Sequence, residues 1–533
     1  MDPRLSQGEL RTDAPTVTRN STMLFFTIVQ RFGLDVVAAD VEAAFMQGDP
    51  QHGDQELYMA QPREGLPGVR QGSLVRILKG VFGLATAPRH WWAKLRRLLL
   101  EVRIELGHGY EFHFKQHSLD PAVYYGHDRD GELVAVVVVH VDDLLIGVSP
   151  RYPQLYTKMH GLLPWGEWRG LPFAFCGKEA WRDEEGIIHL TQSQYAQNIE
   201  EIPLSKERKL ELQAAATATE FSDNRSALGA LGWLTTQTRP DLAAGVAMAQ
   251  RTQNRPLVMD LIETNRLIKL ARKYSEVGLE FPALKGPICM VTYHDASWAN
   301  ADESSDSLVG RLVESAMGRS DKSSRPKVRS QAGYASFIAE AGVLRGDKAR
   351  CCLVDWRSAT IKRVCRSTLA AETMSGVDAL GCAQISRAIF ASLEFPSVSP
   401  QDISPELLPL AQVTDCASLY DTMHKDGFSR LPSERRLLLD LVGLREMLEE
   451  EIQARCVADD ARSQLPLYWV PTQEQLGDQF TKRSDGSAIR SVLKGARLSL
   501  VFQEPDEATR AAEAHQLTWS GMFRRAFMVF GET

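Results

Sequence analysis

The chain has 533 residues, 44% of them hydrophobic and 24% charged, an ordinary globular balance with length for about three or four cores. No apolar run reaches the roughly 18 residues a spanning helix needs, and the polar start MDPRLSQGEL lacks a signal-peptide core. The expectation is an intracellular protein, cytoplasmic or nuclear, with no membrane partner. The net charge of −7 argues against a uniformly basic nucleic-acid binder. The eight cysteines follow no CxxC or Cys/His ligand spacing, so free thiols are expected and zinc is not.

Residues 1 to 20 are polar and read as a lead-in. Thr22 to Phe32 carries apolar residues at helical spacing, and Leu34 to Phe45 runs a short strand into Asp40. Asp40 could face a cleft from that strand end, or cap a helix over Val41 to Met46. Glu56 to Pro62 and LVRIL (Leu74 to Leu78) look like strands. After Pro88 the segment PRHWWAKLRRLLLE reads as a basic amphipathic helix, in which Trp91 and Trp92 could stack on a nucleic acid.

The stretch VVVVHVDDLLIGV (Val136 to Val148) predicts a β-hairpin with Asp142 and Asp143 at its tip. Adjacent carboxylates there are either a solvated turn or a site for a hard divalent cation such as Mg²⁺. Further on, Phe173 to Leu190 reads as two strands around a turn at Asp183 to Gly186, and 203–224 as a linker. Arg225 to Gln250 and Met259 to Tyr274 read as two helices joined through Arg239-Pro240-Asp241. From Ile288 a strand is expected to end at Asp295, and 299–330 reads as a polar insertion. Strands at Ala332 to Ala339 and Cys351 to Trp356 precede a helix from Ser367 that carries Glu372. A strand from Leu410 ends at Asp415, a long helix spans Pro432 to Val457, a strand spans Leu467 to Val470, and Asp478 lies on a helix within 474–482.

Two carboxylate sets result: Asp40, Asp142 and Asp143, then Asp295, Glu372, Asp415 and Asp478. Acidic ligands at strand and helix ends are what two metal ions about 3.5–4 Å apart require for phosphoryl transfer. Basic residues flank both sets, first from Arg76 to Arg103, then from Arg319, Lys322, Arg325 and Lys327 to Arg366. Such runs are either solvated faces or a nucleic-acid surface.

The ordered stretches DVEAAFMQGD, ELYMAQP, LKGVFGLATAPRHWW, HVDDLLIGV, RSALGALGWLTTQTRPDLA, YHDASWA, STLAAETMS, VTDCASL and VPTQEQLGDQFTK together resemble the Pol region of copia-type LTR retrotransposons, reverse transcriptase followed by ribonuclease H. The resemblance implies an α+β palm/fingers polymerase domain with a helical connection, followed by an α/β ribonuclease H-like mixed-sheet domain. Its boundaries would be 1–202, 203–285 and 286–500, with a tail at 501–533. It implies RNA-directed DNA polymerase and ribonuclease H activities, with two Mg²⁺ (or Mn²⁺) per site, held by Asp40, Asp142 and Asp143 and by Asp295, Glu372, Asp415 and Asp478. RNA template, DNA primer, RNA–DNA hybrid and deoxynucleoside triphosphates would be the partners. Phe45 would be the steric gate against a ribose 2′-OH, with Gly83, Pro88 and Arg89 near nucleotide and template and His140 behind the primer terminus. The family usually has Tyr where His140 stands and Gln where Thr86 stands, and its basic fingers residues precede the position of Asp13. The resemblance therefore also admits a relic that keeps only hybrid cleavage or nucleic-acid binding.

Overall fold

Continuous runs of β-branched and small apolar residues decide the first sheet. Val134 to Val139 are buried on both faces, so the hairpin that contains them must sit inside a covered sheet. The computed structural model describes residues 12–49, 56–301, 329–400, 402–424, 434–452 and 465–516. Most of the insertion at 299–330, with Arg319, Lys322, Arg325 and Lys327, lies outside them, as do the end of the Pro432 to Val457 helix and much of the 501–533 tail. Two compact units emerge, Met1–Cys176 with Ser392–Pro400, and Gly177–Ala391 with Gln401–Thr533.

In the first unit a six-stranded sheet has the order Trp165–Gly170, Asp35–Val41, Asp143–Val148, Leu133–His140, Val123–His127, Lys115–Gln116. Every neighbouring pair is antiparallel. Helix Arg19–Arg31 opens at Thr18, whose hydroxyl accepts from Ser21 N at 3.1 Å. The helix lies close on the sheet at Gly147, where a Cβ would come within 2.7 Å of Val29. Helix Ala87–Glu101 has Pro88 in its first turn, as the sequence predicts, and buries Ala87, Trp91, Leu95 and Leu99 along one i, i+4 face.

The second unit holds a mixed six-stranded sheet in the order Leu467–Trp469, Leu410–Thr414, Ile288–Ala301, Arg329–Glu340, Ala349–Thr360, Arg497–Leu498. The Leu410–Thr414 strand is parallel to both of its neighbours, and the remaining pairs are antiparallel. Helix Thr368–Glu394 supplies Glu372. Helices Ala218–Gln237, Ala243–Ala249 and Val258–Lys273 pack around Leu228, Leu231, Leu234, Leu261, Leu267 and Ile268. The Arg239-Pro240-Asp241 corner is a buried staple. Arg239 grips the Asp241 carboxylate with Nε and Nη2 at 2.8 and 2.9 Å, and its Nη1 donates to Ala271 O at 3.1 Å.

Several expectations are corrected. Residues 203–224 are not all linker, because a capping box at Thr217 and Glu220 starts a helix at Ala218. Phe173 to Leu190 forms three short strands, interrupted at Cys176 and Gly177, both with left-handed φ. The strand from Ile288 does not stop at Asp295 but continues to Ala301, paired with Arg329–Glu340. Asp478 lies on a short 3-10 turn, Leu476–Phe480, rather than an α-helix. Among the described residues, no helix is long and apolar enough to cross a membrane.

Candidate active sites

Strand register assembles the first carboxylate set. Asp40 lies directly opposite Asp143, and Asp143 is also opposite His140 in the last pair of the hairpin. Residues opposite one another on neighbouring strands share a face, so Asp40, Asp143 and His140 project together. Asp40 is a strand residue, which removes the helix-cap alternative; the short helix Ala44–Gln47 is led instead by Ala43. Gly166 stands beside it on the other neighbouring strand, and a Cβ there would come within 3.0 Å of the Asp40 carboxylate.

The tip is Val141-Asp142 rather than Asp142-Asp143, because Asp143 pairs with His140 and opens the second strand. Val141 has φ +62°, a conformation that a β-branched residue rarely adopts, so its surroundings must hold it. They do: Trp91 Nε1 donates to Val141 O at 2.7 Å, and Val41 N donates to Asp142 O at 3.1 Å. Trp91 is thus buried and engaged, which overturns its expected role in stacking on nucleic acid. The i, i+4 spacing of Ala87, Trp91, Leu95 and Leu99 was the available signal for a core-facing indole.

Burial, followed by the charges of Asp142, Asp143 and Glu167, raises the Asp40 carboxyl above its ordinary range. Burial and then Asp142 raise Asp143, opposed by His140 and by the Cys176 thiol, whose Sγ lies 3.8 Å from Asp143 Oδ2. The set whose donor atoms all fall within 4.8 Å of one another is His140, Asp143 and Cys176 rather than the three aspartates.

The other expected residues of this unit gather nearby in the chain. Phe45 is half-buried, its ring edge-on to exposed Phe82 with centroids 4.9 Å apart. Gly80 permits that approach, since a Cβ would meet Phe45 O at 2.9 Å, and Gly83 has φ +90°, which suits glycine. Arg89 is already paired: Nη1 donates to the Asp13 carboxylate at 3.0 Å, and the guanidinium lies over Trp92, 4.6 Å from the ring centre.

The second set is more buried. Asp295 Cα pairs with Gly333, and Gly333 and Gly477 let the Leu476–Phe480 turn press against that pair. A Cβ on Gly333 would lie 2.3 Å from Phe480 Cβ, and one on Gly477 would lie 2.7 Å from His294 C. The donor atoms of Asp295, Asp415 and Asp478 all lie within 4.8 Å of one another. Glu372 accepts from Ala296 N at 3.1 Å through Oε1, while its buried Oε2 has no hydrogen-bond partner among the described residues.

Burial and then the charge of Asp415 push the Asp295 carboxyl up to about 7. Burial and the neighbouring acids likewise raise Asp415 and hold Glu372 well above its ordinary range. His294 Nδ1 lies 3.9 Å from Glu372 Oε2, but burial pushes the imidazole down to about 3, so the two are not an ion pair. One cation does approach: Lys482 Nζ donates to Asp478 Oδ1 at 2.5 Å. Burial lowers this ammonium's pKa, but Asp295, Asp478 and Asp415 more than offset it, leaving Lys482 above its ordinary value. Crowded carboxylates of raised pKa and an unpaired buried carboxylate oxygen fit a hard divalent cation, which these oxygens could hold. Lys482 and Cys176 did not emerge from the sequence as site residues. Lys482 had a signal, its i+4 spacing from Asp478; Cys176 had none nearby.

Residues 7–161 match the model of the reverse transcriptase (RNA-dependent DNA polymerase) family. The chain is similar to part of copia-type Pol. It is 25% identical over 326 residues to the retrovirus-related Pol polyprotein from transposon RE1 of Arabidopsis thaliana, covering 58% of this chain and 21% of that one. The counterpart from transposon TNT 1-94 of Nicotiana tabacum is 24% identical over 262 residues, covering 46% and 19%. The chain thus spans about a fifth of the length of these Pol relatives. A foamy viral protease-reverse transcriptase solved with dsDNA aligns at 11% identity over 82% of this chain and 70% of that one, with a TM-score of 0.19, too slight to carry a fold assignment.

Proposed function

We propose that this Pol-like chain is an RNA-directed DNA polymerase with a fused ribonuclease H. The observation that carries the first activity is the register that sets Asp40 opposite Asp143 beside Asp142, inside the stretch that matches the reverse transcriptase family. Template RNA, primer DNA and deoxynucleoside triphosphates are the substrates this reading requires. Asp40, Asp142 and Asp143 would hold the metal, and the Val141-Asp142 tip, fixed through Val141 O, would set Asp142 beside Asp143 to orient the primer hydroxyl and the triphosphate. Phe45, on the short helix after Asp40, would exclude a 2′-hydroxyl by its bulk, since an aromatic ring offers that group no hydrogen bond.

Support for the second activity is the strand order of the mixed sheet, with three antiparallel strands, Ile288–Ala301, Arg329–Glu340 and Ala349–Thr360, extended by two parallel ones. Asp295, Asp415 and Asp478 converge there, and Glu372 stands against Asp295. Divalent magnesium, when bound at either set, would lower the pKa of the attacking oxygen and offset charge on the phosphate. The protein's own share is to hold four carboxylates close enough to need that cation. Lys482 would neutralise part of their charge when it is absent.

The test is primer extension on poly(rA)·oligo(dT) with dTTP and Mg²⁺, beside the Asp142→Asn variant. Extension that vanishes in the variant supports the polymerase. No extension by the unaltered chain leaves hybrid cleavage or nucleic-acid binding as the residual function, and a labelled RNA–DNA hybrid then tests the second set alone.

A further inference from the structure

We propose that His140, Asp143 and Cys176 form a binding site for a borderline-soft divalent transition metal, zinc above all. The inference goes beyond the polymerase reading and does not depend on it. The three residues come from the two strands of the hairpin and from the end of the Phe173–Phe175 strand, so no ligand spacing in the chain announces them.

Imidazole, carboxylate and thiolate are the donors zinc prefers, whereas magnesium takes oxygen and has little use for sulfur. Their spacing also suits one ion. With zinc bonds of about 2.3 Å to sulfur and about 2.1 Å to oxygen at a tetrahedral angle, the sulfur and oxygen should stand about 3.6 Å apart. Cys176 Sγ and Asp143 Oδ2 are 3.8 Å apart. All three donor atoms fall within 4.8 Å of one another, so small rotations of half-buried side chains would bring them to one centre. Three protein ligands leave a fourth tetrahedral position for water, the pattern of an open rather than a closed zinc site.

Binding would break the Cys176 S–H bond, form an S–metal bond and release the proton to solvent. It would also engage Asp143, the residue opposite Asp40. Zinc and magnesium would therefore compete for one carboxylate, and zinc would inhibit any chemistry that needs Asp143 beside Asp40 and Asp142. The chain's histidine at position 140 is what makes this possible, since neither an aliphatic side chain nor a phenol would complete the set as readily.

The test is a Co²⁺ titration of the full metal-free chain, read by the near-ultraviolet thiolate-to-cobalt band and the visible bands of tetrahedral cobalt. The expected result is saturation of both at about one equivalent. Cys176→Ala should lose the thiolate band, and Cys382→Ala, a half-buried thiol elsewhere, should keep it. His140→Gln should weaken binding about tenfold or more while keeping the band, which guards against a Cys176 variant that fails to fold. A thiolate band that survives in Cys176→Ala, its absence from the unaltered chain, or His140→Gln affinity equal to the parent's would each overturn the proposal. Primer extension separates the two readings. Cobalt binding without extension would sink the polymerase and leave the metal site standing; extension without a cobalt band would do the reverse.

Discussion

The Trp91 indole donates to the Val141 carbonyl at 2.7 Å, tying helix Ala87–Glu101 to the Val141-Asp142 tip, next to Asp143. Because Val141 holds an unfavourable φ, the tip needs this bond, and the helix thereby sets where two carboxylates point. Trp91→Phe keeps an aromatic ring but removes the donor and part of the buried indole's volume. Loss of about 1–2 kcal/mol is expected, a fall in Tm of a few degrees. Primer extension should drop about tenfold or more, because displaced ligands cost more than stability does. Equal extension by Trp91→Phe and the parent chain would take Trp91 out of the positioning role.

The two carboxylate sets lie in different compact units and should fail separately. Asp142→Asn is expected to abolish primer extension and leave hybrid cleavage unchanged, and Glu372→Gln to do the opposite. Both activities are read on one preparation of each variant. Loss of both from either substitution would mean that the sites are not independent.

Phe45 is half-buried and braced edge-on by Phe82, so its ring is held in place at the start of its short helix. Phe45→Ala should raise incorporation of ribonucleotides relative to deoxynucleotides about tenfold or more, measured as a ratio of kcat/KM values. An unchanged ratio would assign sugar selection to another residue.

The pH dependence follows from Asp295. Its folded pKa of about 7 stands above the ordinary value of 3.8, so the folded chain retains a proton that the unfolded chain gives up. Stability from this group is complete below about 3.8 and is lost as pH rises to about 7. Glu372 and Asp415, raised in the same direction, add to the loss. In EDTA, Tm should fall between pH 5 and pH 8. Asp295→Asn should flatten the curve, and Mg²⁺ should raise Tm more at the upper end. A curve of the same slope in the parent and in Asp295→Asn would contradict the assignment.

Lys482 Nζ sits 2.5 Å from Asp478 Oδ1 as the cation of the second set. Lys482→Met should lower the Tm of the metal-free chain at pH 8 and enlarge the rise that Mg²⁺ produces, since the added ion then offsets more uncompensated charge. Scanning calorimetry with and without Mg²⁺ reads both. A Mg²⁺ shift no larger than the parent's would show that the ammonium does not compensate these acids.

The sequence by itself determined the local elements with the strongest periodicity. The runs on either side of His140 to Asp143 were bound to pair as a hairpin, because β-branched residues in short runs favour strands and the polar break between them favours a turn; that the turn is Val141-Asp142, with Asp143 in the strand, came from the register. Asp40 was legible as a strand-borne acid, but the local sequence fits a helix cap equally well, and only its pairing with Asp143 decides between them. Pro88 marked the start of a helix because proline costs nothing in a first turn. What only the tertiary structure decided is who faces whom. Asp295 sits in mid-strand because Arg329–Glu340 offers pairing beyond it, and a partner strand leaves no trace in the residues it prolongs. Trp91 turned inward because the Val141 carbonyl needed a donor, and Cys176 reached Asp143 through backbone left-handed at Cys176 and Gly177. Contacts between residues tens of positions apart depend on register and close approach, which are properties of the assembled sheet and not of any local stretch of chain.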